Sequence, residues 1–272
     1  IDAADYGIIA TILALGDDDS DITIDSNGNI TSVDDAIFAS TSSAGNISVT
    51  TESGKTLKST DGDGIAAITF GGDIDIYSNA KIFADPGILA ATTGAGNINI
   101  DSNAAIDATT DGIRATAEDG LIEIDVTAAI DADSDDPTAP GGSGIVATVT
   151  TGTIDIYTST AGTISGTADD GIYAFATAAA PGAGVQVLIN QHGQIGSNLV
   201  GGAVDDDGIH ARVDTGPGSV LVNSFANIYS TSEGIRAVAS GSGYVTVTTT
   251  SGKLLKSTVG DGIEAIANGG NI

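Results

Sequence analysis

The stretch DGDGIAAITFGGDI, residues 61–74, returns near the far end of the chain as GDGIEAIANGGNI, residues 260–272. Aligning the chain on Gly-Ile-x-Ala finds the same phrase throughout. The anchor isoleucines are Ile8, Ile37, Ile65, Ile88, Ile113, Ile145, Ile172, Ile209, Ile235 and Ile263. The residue two after each anchor is Ala in every copy, and the residue before it is Gly except at Ala36. The copies repeat at irregular intervals averaging about 28 residues, within the range of stacked repeat architectures.

Each copy carries two further apolar signals. About ten residues after the anchor comes an alternating pair, as in Ile22/Ile24, Ile74/Ile76, Ile98/Ile100 and Val185/Val187. Later comes a third: Ile30, Leu57, Ile82, Ile106, Ile130, Ile164, Ile195, Ile228 and Leu255. Period-two alternation of β-branched residues marks short strands with one buried face. Gly, Asn, Asp and Ser between them supply turns. A copy with three short strands cannot bury its own apolar face, whereas stacked copies share one core. The expected fold is all-β: a right-handed, three-faced parallel β-helix of about ten coils. Its hand follows from the rule for parallel crossovers. Residues 1–272 read as one solenoid domain, a segment of a longer repeat protein.

The pattern carries two finer expectations. The invariant Ala marks a place where the interior leaves no room for a larger side chain. The Gly before the anchor is expected to take a positive φ at a turn. A sandwich of antiparallel strands does not explain one Ala per copy. The signatures of leucine-rich and calcium-binding nonapeptide repeats are missing. A longer unit lies above the coil: TTESGKTLKSTDGDGIAAI, starting at Thr50, matches TTTSGKLLKSTVGDGIEAI, starting at Thr248, at an offset of 198 residues.

Composition narrows the function. The formal charge is −28, from 36 acidic and 8 basic residues. That excludes nucleic acid as a partner, because phosphate binding needs Lys and Arg to release counterions. It also opposes anionic membrane surfaces. No apolar run is long enough to insert directly into a bilayer. With no Cys, the chain has neither disulfides nor thiolate chemistry.

The order DGI-x-A, then G-x-I-x-I, then a third apolar strand, resembles the passenger regions of bacterial autotransporters and filamentous-haemagglutinin-type surface proteins. The resemblance spans the chain and rests on repeat style. It implies a non-enzymatic extracellular rod at a bacterial cell surface, structural or adhesive. Its partners would be a host or neighbouring cell surface, or other copies meeting end to end or laterally. A polysaccharide-active β-helix enzyme, lyase or hydrolase, is the alternative.

Candidate sites are few. Acidic residues recur two before the anchor: Asp35, Asp63, Asp111, Asp170, Asp207, Glu233 and Asp261. The plain reading is turn chemistry, each side chain bonding its local backbone; the other is a ladder for a hard cation. No cofactor is required, and structural Ca²⁺ is the metal that carboxylates suit. The densest metal candidates are Asp17, Asp18, Asp19 and Asp21, and then Asp205, Asp206 and Asp207. Arg114, His210 and Arg236 share the outward position after the anchor, read either as solvated residues or as an anion- or sugar-binding patch. Lys55/Lys58 and Lys253/Lys256 flank third-strand leucines and are expected to meet acids on the next coil. No catalytic motif appears, so no catalytic residue is assigned. Recognition, if any, is expected in the loops DSDDPTAPGG (133–142), AAAPGAG (178–184) and GSNLVGG (196–202).

Overall fold

The structure, a computed structural model, describes residues 1–13, 19–132, 142–166, 168–178, 184–199 and 202–272. Among these residues every regular element is a β-strand. Strands pair in parallel with their equivalents one copy away, so the chain is a parallel β-helical solenoid.

The anchors form one file. Ile8, Ile37, Ile65, Ile88, Ile113, Ile145, Ile172, Ile209, Ile235 and Ile263 stand in register from rung to rung. The Ala file runs beside them; Ala115 pairs with Ala147, and both are fully buried. The second strands stack in the same way, Ile22 on Ile47 on Ile74 on Ile98. The third strands form a separate wall whose rungs continue through single bridges at Ile164, Ile195 and Ile228. In two copies the first and second strands run on without a break, as Ile113–Val126 and Ile145–Thr158.

The core follows from period-two alternation. Strands such as Ile88–Thr92 and Ile98–Ser102 bury every second side chain. Each fully buried Ile contributes about 1.5–3 kcal/mol by leaving water. Few aromatics are needed because Ile stacks on Ile at the spacing of adjacent strands.

Three expectations are corrected. The glycine before the anchor does not take a positive φ. Positive φ occurs at Gly54, Gly71, Gly94, Gly120, Gly166, Gly196, Gly216 and Gly252, none of which precedes an anchor. The position needs Gly because it has no room for a Cβ. A Cβ on Gly64 would stand 2.3 Å from Cγ2 of Ile82, and one on Gly87 2.3 Å from Cγ2 of Ile106. At Gly7, Gly64, Gly87, Gly112, Gly144, Gly171 and Gly208 the third-strand Ile that follows in the chain fills that space.

The inward pair after Ile172 is also not Val185/Val187. Val187 pairs with Ile154 and Ile189 with Ile156, with a bulge between Val185 and Val187. The bulge turns Gln186 inward and buries it fully. Its Nε2 donates to the carbonyls of Gly152 and Ala178, which satisfies the amide's donor side, while its Oε1 is buried without a hydrogen-bond partner.

Finally, Lys55 meets no acid on the next coil: its Nζ lies 3.5 Å from Glu52 of its own turn. Lys256 reaches an amide instead, donating from Nζ to Asn198 Oδ1 at 2.8 Å.

Candidate functional site

Two files of side chains run along the edge where the first strand begins. The outward file after the anchors reads Arg114, Val146, Tyr173, His210, Arg236 and Glu264 in register. The acidic file two before the anchors runs alongside. Between them lies a cleft of about 450 Å³, with Asp111, Arg114, Asp170, Tyr173 and His210 in its walls.

The acidic file does not serve its own turns. Asp35 Oδ1 accepts from the Asp63 N–H at 2.8 Å, and Asp111 Oδ1 from Ser143 at 2.9 Å. Asp170 Oδ1 accepts from Asp207 at 3.0 Å, and Asp207 Oδ1 from Glu233 at 2.9 Å. Each of these four carboxylates thus holds the N–H of its equivalent one copy on, whereas the equivalent of Asp63 is Pro86, which has no N–H to give. This replaces the local-turn reading with a bond between coils, roughly twice as strong as a neutral hydrogen bond. A second edge uses the same device: Asp21 accepts from Asn46, Asn46 from Asp73, and Asp73 from Asn97.

One oxygen of each of these four carboxylates is used this way, and Asp111 and Asp170 also line the cleft. His210 Nδ1 lies 3.5 Å from Asp207 Oδ2 and 3.6 Å from Asp170 Oδ2. The Tyr173 ring meets the imidazole edge-on, centroids 5.2 Å apart. Asp170 and Asp207 are 4% and 2% exposed, so their charges are largely desolvated. Burial, reinforced by a hydrogen bond with the Glu233 carboxyl, pushes Asp207 up to about 7. Asp169 is raised by burial and by the neighbouring charges of Asp170, Asp206 and Asp111. Farther down the file, Asp63 is pushed to about 7 by burial and by Asp35 and Asp85, with Arg114 acting against them.

Two overlapping triplets place ligand atoms within 4.8 Å of one another: Asp170, Asp207 and His210, and Asp169, Asp170 and Asp206. The all-carboxylate triplet matches the oxygen preference of Ca²⁺. The imidazole-containing one suits a softer divalent ion. Asp207, held up to about 7 by burial and the Glu233 carboxyl, is the member of the site placed to take or give a proton near neutrality.

Among the described residues, the metal candidates drawn from sequence form no ligand triplet of their own. Asp17 and Asp18 lie outside the described residues. Asp19 is exposed, and Asp21 is occupied as an acceptor for Asn46. Asp205 is exposed and lines a different cleft. Asp206 and Asp207 fall into separate triplets. Asp169 was missed, although Asp-Asp-Gly-Ile recurs at 169–172 and 206–209. The outward cations do not form an open anion site. Arg114 Nε donates to Asp111 Oδ2 at 2.7 Å, and Arg236 Nε lies 3.0 Å from Glu264 Oε2. Of the three loops, residues 133–141, 179–183 and 200–201 lie outside the described residues.

Comparison with protein-family models, with curated proteins and with solved structures finds no match to this chain.

Proposed function

We propose that this chain is the shaft of a non-enzymatic, extracellular surface protein of the autotransporter or filamentous-haemagglutinin kind, structural or adhesive. The observation that carries the reading is the unbroken anchor file from Ile8 to Ile263. Every rung adds another copy's backbone ladder and buried aliphatics, so the product of the repeat is a uniform wall. With no Cys and no Met, the chain lacks the side chains most readily oxidised. The high negative charge keeps shafts dispersed.

In this reading a divalent cation, Ca²⁺ first, ties neighbouring turns through Asp169, Asp170 and Asp206. Contacts with a cell surface or with other copies come from the side walls. The test is retention under flow. Beads coated with the chain should stay on epithelial or bacterial cell layers at shear that removes albumin-coated beads. Equal detachment would overturn the adhesive part.

A polysaccharide-active enzyme draws on one observation, the Asp170–Asp207–His210 cleft with a carboxyl titrating at about 7. New reducing ends or unsaturated products from acidic polysaccharides, lost in His210→Ala, would favour it over the shaft.

A further inference from the structure

The third-strand wall contains a second cleft, of about 290 Å³, away from the acidic edge. It exists because one copy carries extra chain. Ile195 bridges Ile228 and Val204 bridges Ser230, so the ladder skips from one to the other, and the described residues between, 196–199 and 202–203, are outside it. The departure is at Gly196, with φ +64 and no space for a Cβ, which would stand 2.3 Å from the Tyr229 carbonyl oxygen. The excursion closes on itself: Ser197 N–H donates to the Gly202 carbonyl, and Gly202 N–H to Leu199 at 3.1 Å.

Its effect is read at Tyr229. Outward third-strand residues such as Thr31, Lys58, Phe83 and Asp107 are exposed, but Tyr229 is only 9% exposed. From the next turn, Lys256 stands in register with Tyr229 and donates to Asn198 Oδ1 at 2.8 Å, spanning the cleft. The cleft therefore offers an aromatic wall, an ammonium with two donors to spare, the Asn198 amide, the Thr231 hydroxyl and, at its rim, the Asp205 carboxylate.

We infer that this cleft binds a single neutral sugar ring. Adjacent donors and acceptors match vicinal hydroxyls, which need both. An aromatic wall suits the C–H face of a pyranose. Ammonium and carboxylate together leave no net preference for a charged ligand, and the volume lies at the low end for ligand pockets, enough for one ring rather than a chain. The site goes beyond the shaft reading and does not rest on it.

The test is saturation-transfer NMR with the methyl glycosides of glucose, galactose, mannose and N-acetylglucosamine. At least one should bind. Lys256→Ala, an exposed position, should weaken it by about tenfold, the worth of a charge-assisted hydrogen bond. Lys58→Ala, its counterpart in the earlier copy of SGKxLKS, should leave binding unchanged. Absence of transfer from all four glycosides, or equal binding by wild type and Lys256→Ala, would overturn the inference. Retention of beads on cells tests the shaft separately.

Discussion

The space over Gly208 belongs to Ile228: a Cβ on Gly208 would come within 2.1 Å of the Ile228 Cγ2 atom. The same clash recurs at Gly7, Gly112, Gly144 and Gly171, each against the third-strand Ile that follows it. Two copies carry Leu there instead, and Leu has no γ2 methyl. Above Gly234 the nearest side-chain atom is Leu255 Cβ, at 3.4 Å. The other Leu, Leu57, follows Ala36, the one anchor-preceding residue that is not Gly. A Cβ at Gly208 or at Gly234 would still face a carbonyl oxygen, at 2.6 Å and 2.5 Å respectively, so the methyl is what separates these two glycines. Gly208→Ala is expected to destabilise the fold by about 1–3 kcal/mol, the usual range for overpacking. Gly234→Ala should cost clearly less. Urea midpoints for the two variants would check this, and equal losses would contradict it.

Ala36 and Leu57 should therefore be coupled. Leu57→Ile restores a γ2 methyl above a residue that already has a Cβ, and should destabilise the chain. Adding Ala36→Gly should recover part of the loss. In the wild-type background, Ala36→Gly should instead cost about 0.5–1 kcal/mol, because Gly loses more chain entropy on folding. A double-mutant cycle reads the sign change directly; additive effects would refute the pairing.

The acidic file makes stability depend on pH. Asp63 has a folded pKa of about 7 against an ordinary value of 3.8. Between these values the folded chain holds a proton that the unfolded chain has released, so stability falls as pH rises across that window. Melting by circular dichroism should occur at higher temperature at pH 5 than at pH 8. Asp63→Asn should flatten that difference without abolishing it, since net repulsion also grows with pH. An unchanged slope in Asp63→Asn would show that Asp63 contributes nothing to it.

Calcium should act in the opposite direction to charge repulsion. With Asp169, Asp170 and Asp206 near one another, millimolar Ca²⁺ is expected to raise the melting temperature at pH 8 by a few degrees relative to chelator, as any ligand of the folded state does. Asp170→Asn keeps an oxygen for the Asp207 N–H but removes a charge, and should abolish most of the shift. Identical melting with Ca²⁺ and with chelator would leave the file as backbone acceptors alone.

The sequence by itself determined the coil. The Ile anchors, the Ala two residues on and the alternating pairs mark which side chains face inward, because strand side chains alternate strictly and one face must be buried. It did not identify which distant residues meet. Asp169 and Asp206 are 37 positions apart, yet neighbouring copies elsewhere are offset by as few as 23, as from Ile65 to Ile88. Both stand three residues before an anchor, so the repeat alignment puts them in register; Asp169 was passed over because acids were grouped by closeness along the chain rather than by position in the copy. The bulge at Val185 left no mark in the alternation, whereas the excursion after Gly196 falls in GSNLVGG, which the sequence reading marked as a loop: a solenoid absorbs extra residues at its corners without disturbing the ladder. Only the tertiary structure decided why Gly precedes the anchor. That requirement comes from a methyl group about 18 to 24 residues away along the chain, brought over the glycine by stacking rather than by any local turn.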